Sequence, residues 1–279
     1  MTIDSADSLI SAMGNNSSRM VLSKASIAST ASGQFHSLWR ATGQPGQGAI
    51  PTAVDVPHDA TVGAIGFAQQ TAPATSYLGL LEAQCANSGT TLEIHDRICQ
   101  MGGLSGTVAT AQTVSMNLST LLATNNLDAR KGDANYSDVQ WWLEWYADTG
   151  ATVVTATVNV TYNDGTTGNL TAVSLAATRR ASFMQPLNYL IPAGAAGKFI
   201  RGVNTVTLSA TTGTAGNFGV TATRYRAANF LPVANARFTA DWASLGLPEV
   251  ANDACLFAIQ IAAATSTGIV NATGKIVHG

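Results

Sequence analysis

Nine residues constrain the fold more than any others. From 154 to 162 the chain reads VTATVNVTY, with Val154, Ala156, Val158, Val160 and Tyr162 alternating against Thr155, Thr157, Asn159 and Thr161. Successive side chains of an extended strand point to opposite faces, so such a run buries one face and wets the other. Its β-branched content suits a pleated, half-buried surface. The same period returns along the chain. Leu92, Ile94 and Ile98 alternate with Thr91, Glu93, His95 and Arg97. Val206, Leu208 and Ala210 line one side of another run, Phe218, Val220 and Ala222 a further one, and Cys255, Phe257, Ile259 and Ile261 a last one.

Turn chemistry joins these runs. Asn163-Asp164-Gly165 turns 154–162 toward 170–177, and Asn87-Ser88-Gly89 reads as a hairpin between 77–84 and the run from Leu92. Thr265-Ser266-Thr267-Gly268 leads into a returning run, 269–277, and TGQPGQGAIP at 42–51 is a loop. Short helices are expected at 118–125 and 242–245. At the N-terminus Ser5 can cap a helix with Asp7 and Ser8 in its first turn, Leu9, Ile10 and Met13 on its apolar side and Gly14 at its stop. Residues 15–35 are rich in Ser, Ala and Asn without a firm period and read as an arm. The expected architecture is mainly β: an antiparallel β-sandwich, jelly-roll-like, over 36–279, preceded by the helix and arm of 1–35. Ala129-Arg130-Lys131-Gly132-Asp133 is a seam between halves 36–130 and 133–279.

The densest aromatic patch is VQWWLEWYADTG, 139–150. In a strand, Trp141, Leu143 and Trp145 share one wholly apolar face and read as core. Trp142, Glu144 and Tyr146 share the other, which is expected to be partly exposed at a subunit contact, because interfaces favour Trp and Tyr. The alternative for that face is a stacking platform for a sugar, with Glu144 or Asp148 beside Trp142 and Tyr146.

Charge is scarce. Only 11% of the 279 residues are charged, against about 25% in an ordinary domain. On the roughly 11,000 Å² expected for a chain of this mass, 30 charges leave about one per 380 Å². Such a surface is poorly protected against association and points to an oligomer. The net charge is −2, yet 165–240 holds no Asp or Glu and seven bases: Arg179, Arg180, Lys198, Arg201, Arg224, Arg226 and Arg237. That segment is +7 and the remainder −9, so either the bases scatter over several faces or they form an electrostatic contact, through Arg179, Arg180, Arg224 and Arg226, with neighbouring copies, an acidic partner face or nucleic acid. A pI near 6.0 argues against a dedicated nucleic-acid binder.

Residue patterns for chemistry fail one by one. His36, His58, His95 and His278 lack metal-ligand spacing, and His95 reads as part of a solvated or interface charge cluster with Glu93 and Arg97. Gly102-Gly103-Leu104-Ser105-Gly106 lacks the spacing of a nucleophile elbow, and Gly194-Ala195-Ala196-Gly197-Lys198 lacks the first Gly and the hydroxyl residue of a phosphate loop. Asn163-Asp164-Gly165 and Asp148 lack the ladder of a calcium loop. Cys85, Cys99 and Cys255 are odd in number and read as buried thiols of a protein made in the cytoplasm. No apolar run reaches membrane-spanning length, and the N-terminus does not read as a signal peptide. The expectation is a non-enzyme with no cofactor and no metal.

Three stretches together resemble structural proteins of tailed-bacteriophage particles: LEIHDRICQMGGLSGTVATAQTV from Leu92, ARKGDANYSDVQWWLEWYADTGAT from Ala129 and KFIRGVNTVTLSATTGTAGNFGVTAT from Lys198. They cover about a quarter of the chain and carry no functional residues to transfer. The resemblance implies a virion component made in the host cytoplasm, partnered by its own copies and by the major capsid protein. A capsid decoration or cement protein is the leading form, and a neck or tail protein the variant. A carbohydrate-binding β-sandwich, as in a fibre or adhesin, is the alternative from another class.

Overall fold

The structure, a computed structural model, describes residues 3–71, 74–175 and 178–279. The chain is mainly β and antiparallel. It runs through α1 (Ala6–Asn15), β1 (Ser17–Lys24), β2 (Phe35–Ser37), β3 (Gly43–Gln44), β4 (Ser76–Cys85), β5 (Thr90–Leu104), β6 (Gln112–Asn117), α2 (Leu118–Leu121) and α3 (Leu127–Arg130). There follow β7 (Val139–Ala147), β8 (Val154–Tyr162), β9 (Thr167–Asn169), β10 (Val173–Leu175), β11 (Phe183–Pro186), β12 (Ile200–Leu208) and β13 (Asn217–Leu231). The chain closes with β14 (Phe238–Asp241), α4 (Trp242–Leu245), β15 (Glu249–Val250), β16 (Leu256–Ile261) and β17 (Val270–His278).

Two compact units divide the chain. Unit 1 comprises residues up to Ala49, His58–Asp96 and Tyr225–Gly279; unit 2 comprises Ile50–Pro57 and Arg97–Arg224. The boundaries cut β5 and β13 in mid-strand, so each of these long strands supplies residues to both units. The sequence seam at 129–133 is no boundary. Arg130 is buried inside unit 2, where it donates to the carbonyl oxygens of Pro57 and Arg97 (both 2.8 Å) and pins the loop 50–57. The division at 35/36 also fails, because 1–35 is built into unit 1.

In unit 1 a sheet in the order β14-β4-β17-β1-β3, with β15 also on β4, packs over β5, β13 and β16. Met20, Leu22, Leu78, Leu81, Ala272 and Ile276 meet Leu92, Ile94, Leu231 and Leu256 in one core. In unit 2 the sheet β10-β8-β12-β6, with β9 on β8, supplies Val154, Ala156, Val158, Val160, Val203 and Val206. These pack against Trp141, Leu143, Trp145, Phe218, Val220 and Ala222. The alternations at 154–162 and 218–222 therefore point their apolar sides as the sequence indicates. Asn163-Asp164-Gly165 turns β8 into β9, and β10 pairs back on β8; residues 176 and 177 of the expected strand lie outside the described residues.

Three local expectations are corrected. The arm at 15–35 contains β1, which pairs along its whole length with β17, from Ser17 opposite Val277 to Lys24 opposite Val270. Its buried Met20, Leu22 and Lys24 alternate, but a charged residue at the third buried position hid the period. Gly14 does not stop α1. Ser5 and Ser8 form its capping box, and the helix ends at Asn15. The neighbouring Asn16 exchanges backbone bonds with Ala12 and His278. The Asn87-Ser88-Gly89 turn makes no hairpin, since β4 pairs with β14, β15 and β17, while β5 pairs with β16 and β13. The turn carries the chain from one layer of the unit 1 sandwich to the other, and 265–268 does the same between β16 and β17.

Candidate functional site

The aromatic strand β7 is buried on both faces. Trp141 and Trp145 lie in the unit 2 core, Trp145 stacked on Phe218 (centroids 5.5 Å, 16° between planes) and tilted on Phe183. On the opposite face Trp142 and Tyr146 are 3% and 5% exposed and Glu144 is 1% exposed. This corrects the expectation that Trp142, Glu144 and Tyr146 lie at a subunit contact or form a stacking platform. Within the folded chain none of them presents an open face.

Arg97 is what makes that face sequestered rather than wet. Its guanidinium Nη1 donates to Glu144 Oε1 at 3.2 Å and Nη2 to Glu144 Oε2 at 2.6 Å, a bidentate pair that matches fork to carboxylate. Nη2 also reaches Tyr146 OH (3.0 Å) and Thr221 Oγ1 (3.2 Å), and Nε donates to Gln100 Oε1 (2.5 Å). Thr221 and Tyr146 both donate to Glu144 Oε2, at 2.5 and 3.2 Å. Gln100 in turn donates to Asp55 Oδ2, and backbone bonds in both directions between Asp55 and Gln100 lay the loop 50–57 along β5. Gly102 leaves room for it, because a Cβ there would stand 2.4 Å from Pro51 O and 3.1 Å from the Tyr146 ring. Burial, and after it the Glu144 charge, push the Tyr146 phenol well above its usual range. Chemically this is a closed, mutually satisfied ion pair. Its reactive atoms are turned on one another, so it fixes geometry.

His95, expected in a solvated or interface charge cluster, is fully buried in unit 1 between Glu93 Oε2 (3.0 Å from Nε2) and the Tyr225 ring, which it meets edge-on at 5.6 Å. Burial lowers its pKa despite the Glu93 partner, and burial alone lowers that of His36 to about 4. Cys85, Cys99 and Cys255 are buried free thiols, with Cys99 raised to about 12 foremost by burial. Among the described residues no group of three or more His, Cys, Asp or Glu is arranged to hold a metal ion, and no helix is long and apolar enough to cross a membrane.

The expected basic contact does not form one surface. Arg180 is exposed and pairs with Asp148 (2.6 Å), while half-buried Arg224 pairs with Asp138 (3.2 Å). Arg179 lies over the Phe183 ring, 4.4 Å from its centroid. Arg226 is buried and donates to Glu249 O, which removes it from any contact surface. Lys198 pairs with Asp164 and Arg237 with Glu82. Four of the seven bases in the acid-free segment thus find acids from outside it within their own units, so much of the +7/−9 asymmetry is answered inside the chain. Sequence reasoning missed Arg97, Gln100, Thr221 and Arg130. The available signal was Arg97 and Glu144, each alternating with apolar neighbours on strands too long for one wet face.

No protein-family model matches the chain, and no curated protein matches it. Among solved structures the chain is weakly similar to a T=1 particle derived from infectious bursal virus, at 10% identity and a TM-score of 0.19, over 94% of this chain and 77% of that one. The VP2 subviral particle of infectious bursal disease virus gives 10% identity and a TM-score of 0.19 over 94% and 79%. The T13 particle of the same virus gives 9% and 0.19 over 94% and 76%. A likeness this weak identifies neither fold nor role.

Proposed function

We propose that the chain is a non-enzymatic structural component of a bacteriophage particle, a capsid decoration or cement protein that stabilises contacts between capsid subunits. The observation that carries this reading is the poverty of charge on the folded surface. Of the 30 charged residues, seven (Lys24, Asp96, Arg97, Arg130, Lys131, Glu144 and Arg226) are buried. The remaining 23 are spread over 10,729 Å², about one per 470 Å², well below the density that keeps a free domain soluble. Ile10, Val62, Tyr189 and Phe230 are each more than half exposed on that surface. A surface of hydroxyls, amides and scattered apolar groups suits permanent cover by neighbours. The neighbours in this reading are copies of this chain and the major capsid protein, a choice that the phage-like stretches support.

The carbohydrate-binding alternative loses its mark, since the residues it needs in the open are buried. Negative-stain imaging of purified virions with an antibody against this chain tests the proposal. Label over the capsid surface is the expected result. Label at the neck or tail would move the protein there, and unlabelled particles would overturn the virion reading.

A further inference from the structure

The outer face of the unit 1 sheet carries an electrostatic conflict. Arg19 on β1 stands directly opposite Lys275 on β17, both pointing away from the core side occupied by Met20 and Gly274. Like charges directly opposite one another across a strand pair, with Cβ atoms about 5 Å apart, destabilise a sheet. Arg237 adds a third cation, donating to Thr273 Oγ1 at 3.2 Å. These residues, with Ser17, Ser18, Leu80, Glu82 and Gly274, line a groove of about 280 Å³.

Its acids do not balance it. Glu82, the one carboxylate in the lining, is engaged by Arg237 (3.7 Å) and by the Thr273 hydroxyl (3.2 Å). Asp241 shares the sheet row of Lys275 through Leu80, but its carboxylate caps α4 by accepting from Ser244 N and Oγ. Lys275 Nζ donates to Met13 O in the last turn of α1, which brings α1 to that end of the groove. The Arg19 side chain is exposed and makes no hydrogen bond or ion pair among the described residues. The groove therefore has a formal charge of +2, a free guanidinium fork, a half-engaged ammonium and the Ser18 hydroxyl, which accepts from Ala68 N and keeps its own proton to donate.

We propose that this groove binds a small multivalent oxyanion, bearing either phosphate or clustered carboxylates. Two unbalanced charges call for a ligand of at least two negative charges. The guanidinium fork favours paired oxygens, and the ammonium supplies a point charge beside them. The inference is independent of the virion reading.

Calorimetry and thermal melts of the full chain, with inorganic phosphate and with citrate at an ionic strength matched by sodium chloride, test it. At least one of the two anions should bind and raise the melting temperature beyond the chloride control. Phosphate alone assigns the ligand to the phosphoryl class, citrate alone to the polycarboxylates. Arg19→Gln should weaken that binding roughly tenfold or more, the loss of a charge-assisted bond. Its anion-free melt should match or slightly exceed the parent, because the change relieves the repulsion opposite Lys275 and breaks no side-chain bond. Arg180→Gln, on a separate exposed pair, should leave the affinity unchanged. No binding of either anion above chloride, or binding that survives Arg19→Gln, overturns the proposal.

Discussion

Two buried cations, Arg97 in unit 2 and Lys24 in unit 1, are answered in opposite ways. In unit 2 Arg97 is matched by the Glu144 carboxylate and by Tyr146, Thr221 and Gln100, deep among aromatic side chains. In unit 1 Lys24 is 2% exposed and donates to three carbonyl oxygens, those of Ala41 (3.1 Å), Pro45 (2.7 Å) and Gly46 (3.3 Å), with no carboxylate among them. The first arrangement insulates charge with charge. The second leaves a lone ammonium to backbone dipoles that also hold the 42–46 loop in place. Its burial lowers Lys24 to about 8, whereas the guanidinium stays protonated at any ordinary pH. The Lys24 site should therefore respond to alkaline pH where the Arg97 site is indifferent.

Substitutions can break that contrast. The largest effect belongs to the aromatic core: Trp145→Ala should cost roughly 3–5 kcal/mol in urea unfolding through the cavity it leaves between Phe183 and Phe218. Trp145→Phe should cost far less, because the Trp145 Nε1 has no acceptor to lose. Next, Glu144→Gln should cost about 3 kcal/mol by stranding the Arg97 charge, and the double change Arg97→Met, Glu144→Leu should recover most of it. If the double variant is as unstable as the single one, the pair is more than a mutual neutralisation.

Lys24→Met should cost roughly 1–3 kcal/mol, the desolvation of carbonyls left without a donor. The pH dependence has a definite sign. The folded pKa, about 8, lies below the ordinary 10.5, so burial opposes the charged form. The native state should gain stability as pH rises from about 8 towards 10.5, and Lys24→Met should lose that gain. Equal pH slopes in the two proteins would mean that the carbonyl cage fully offsets burial.

The smallest effect on folding is expected at the surface. Arg180→Glu with Arg224→Glu should change unfolding by less than about 1 kcal/mol per pair. If these arginines also contact neighbouring subunits, sedimentation should show association that weakens with salt and in the double reversal. Arg226 belongs outside that experiment because reversal there would bury a carboxylate.

Single-strand properties were legible in the sequence, and partnership was not. The faces of 154–162 and of Trp141, Leu143 and Trp145 follow from period two, and the Ser5 cap and α4 from local hydrogen-bonding chemistry. Alternation, however, says only that a polar face differs from an apolar one. Glu144, Thr221 and Arg97 look like solvent-facing residues until three strands bring them together. The turns at 87–89 and 265–268 have hairpin composition, but a sandwich uses the same residues to cross between layers. The groove was equally hidden, since 17–19, 80–82, 237 and 273–275 become neighbours only through strand order.

The place of β17 has a consequence for how the protein is made. It lies between β4 and β1, so its two neighbours are the earliest long strands of unit 1 and it is the latest. On the ribosome β1 and β4 must wait, unpaired along their inner edges, until residues 270–278 have emerged. Unpaired edges of this kind are what invite pairing between chains. A nascent copy is therefore a candidate for the wrong partner from the emergence of β1 until that of β17, and folding should be slow, as for any sheet whose closing contacts are far apart in sequence. In a cell making many copies at once, dilution or a holding chaperone would govern the yield of folded protein.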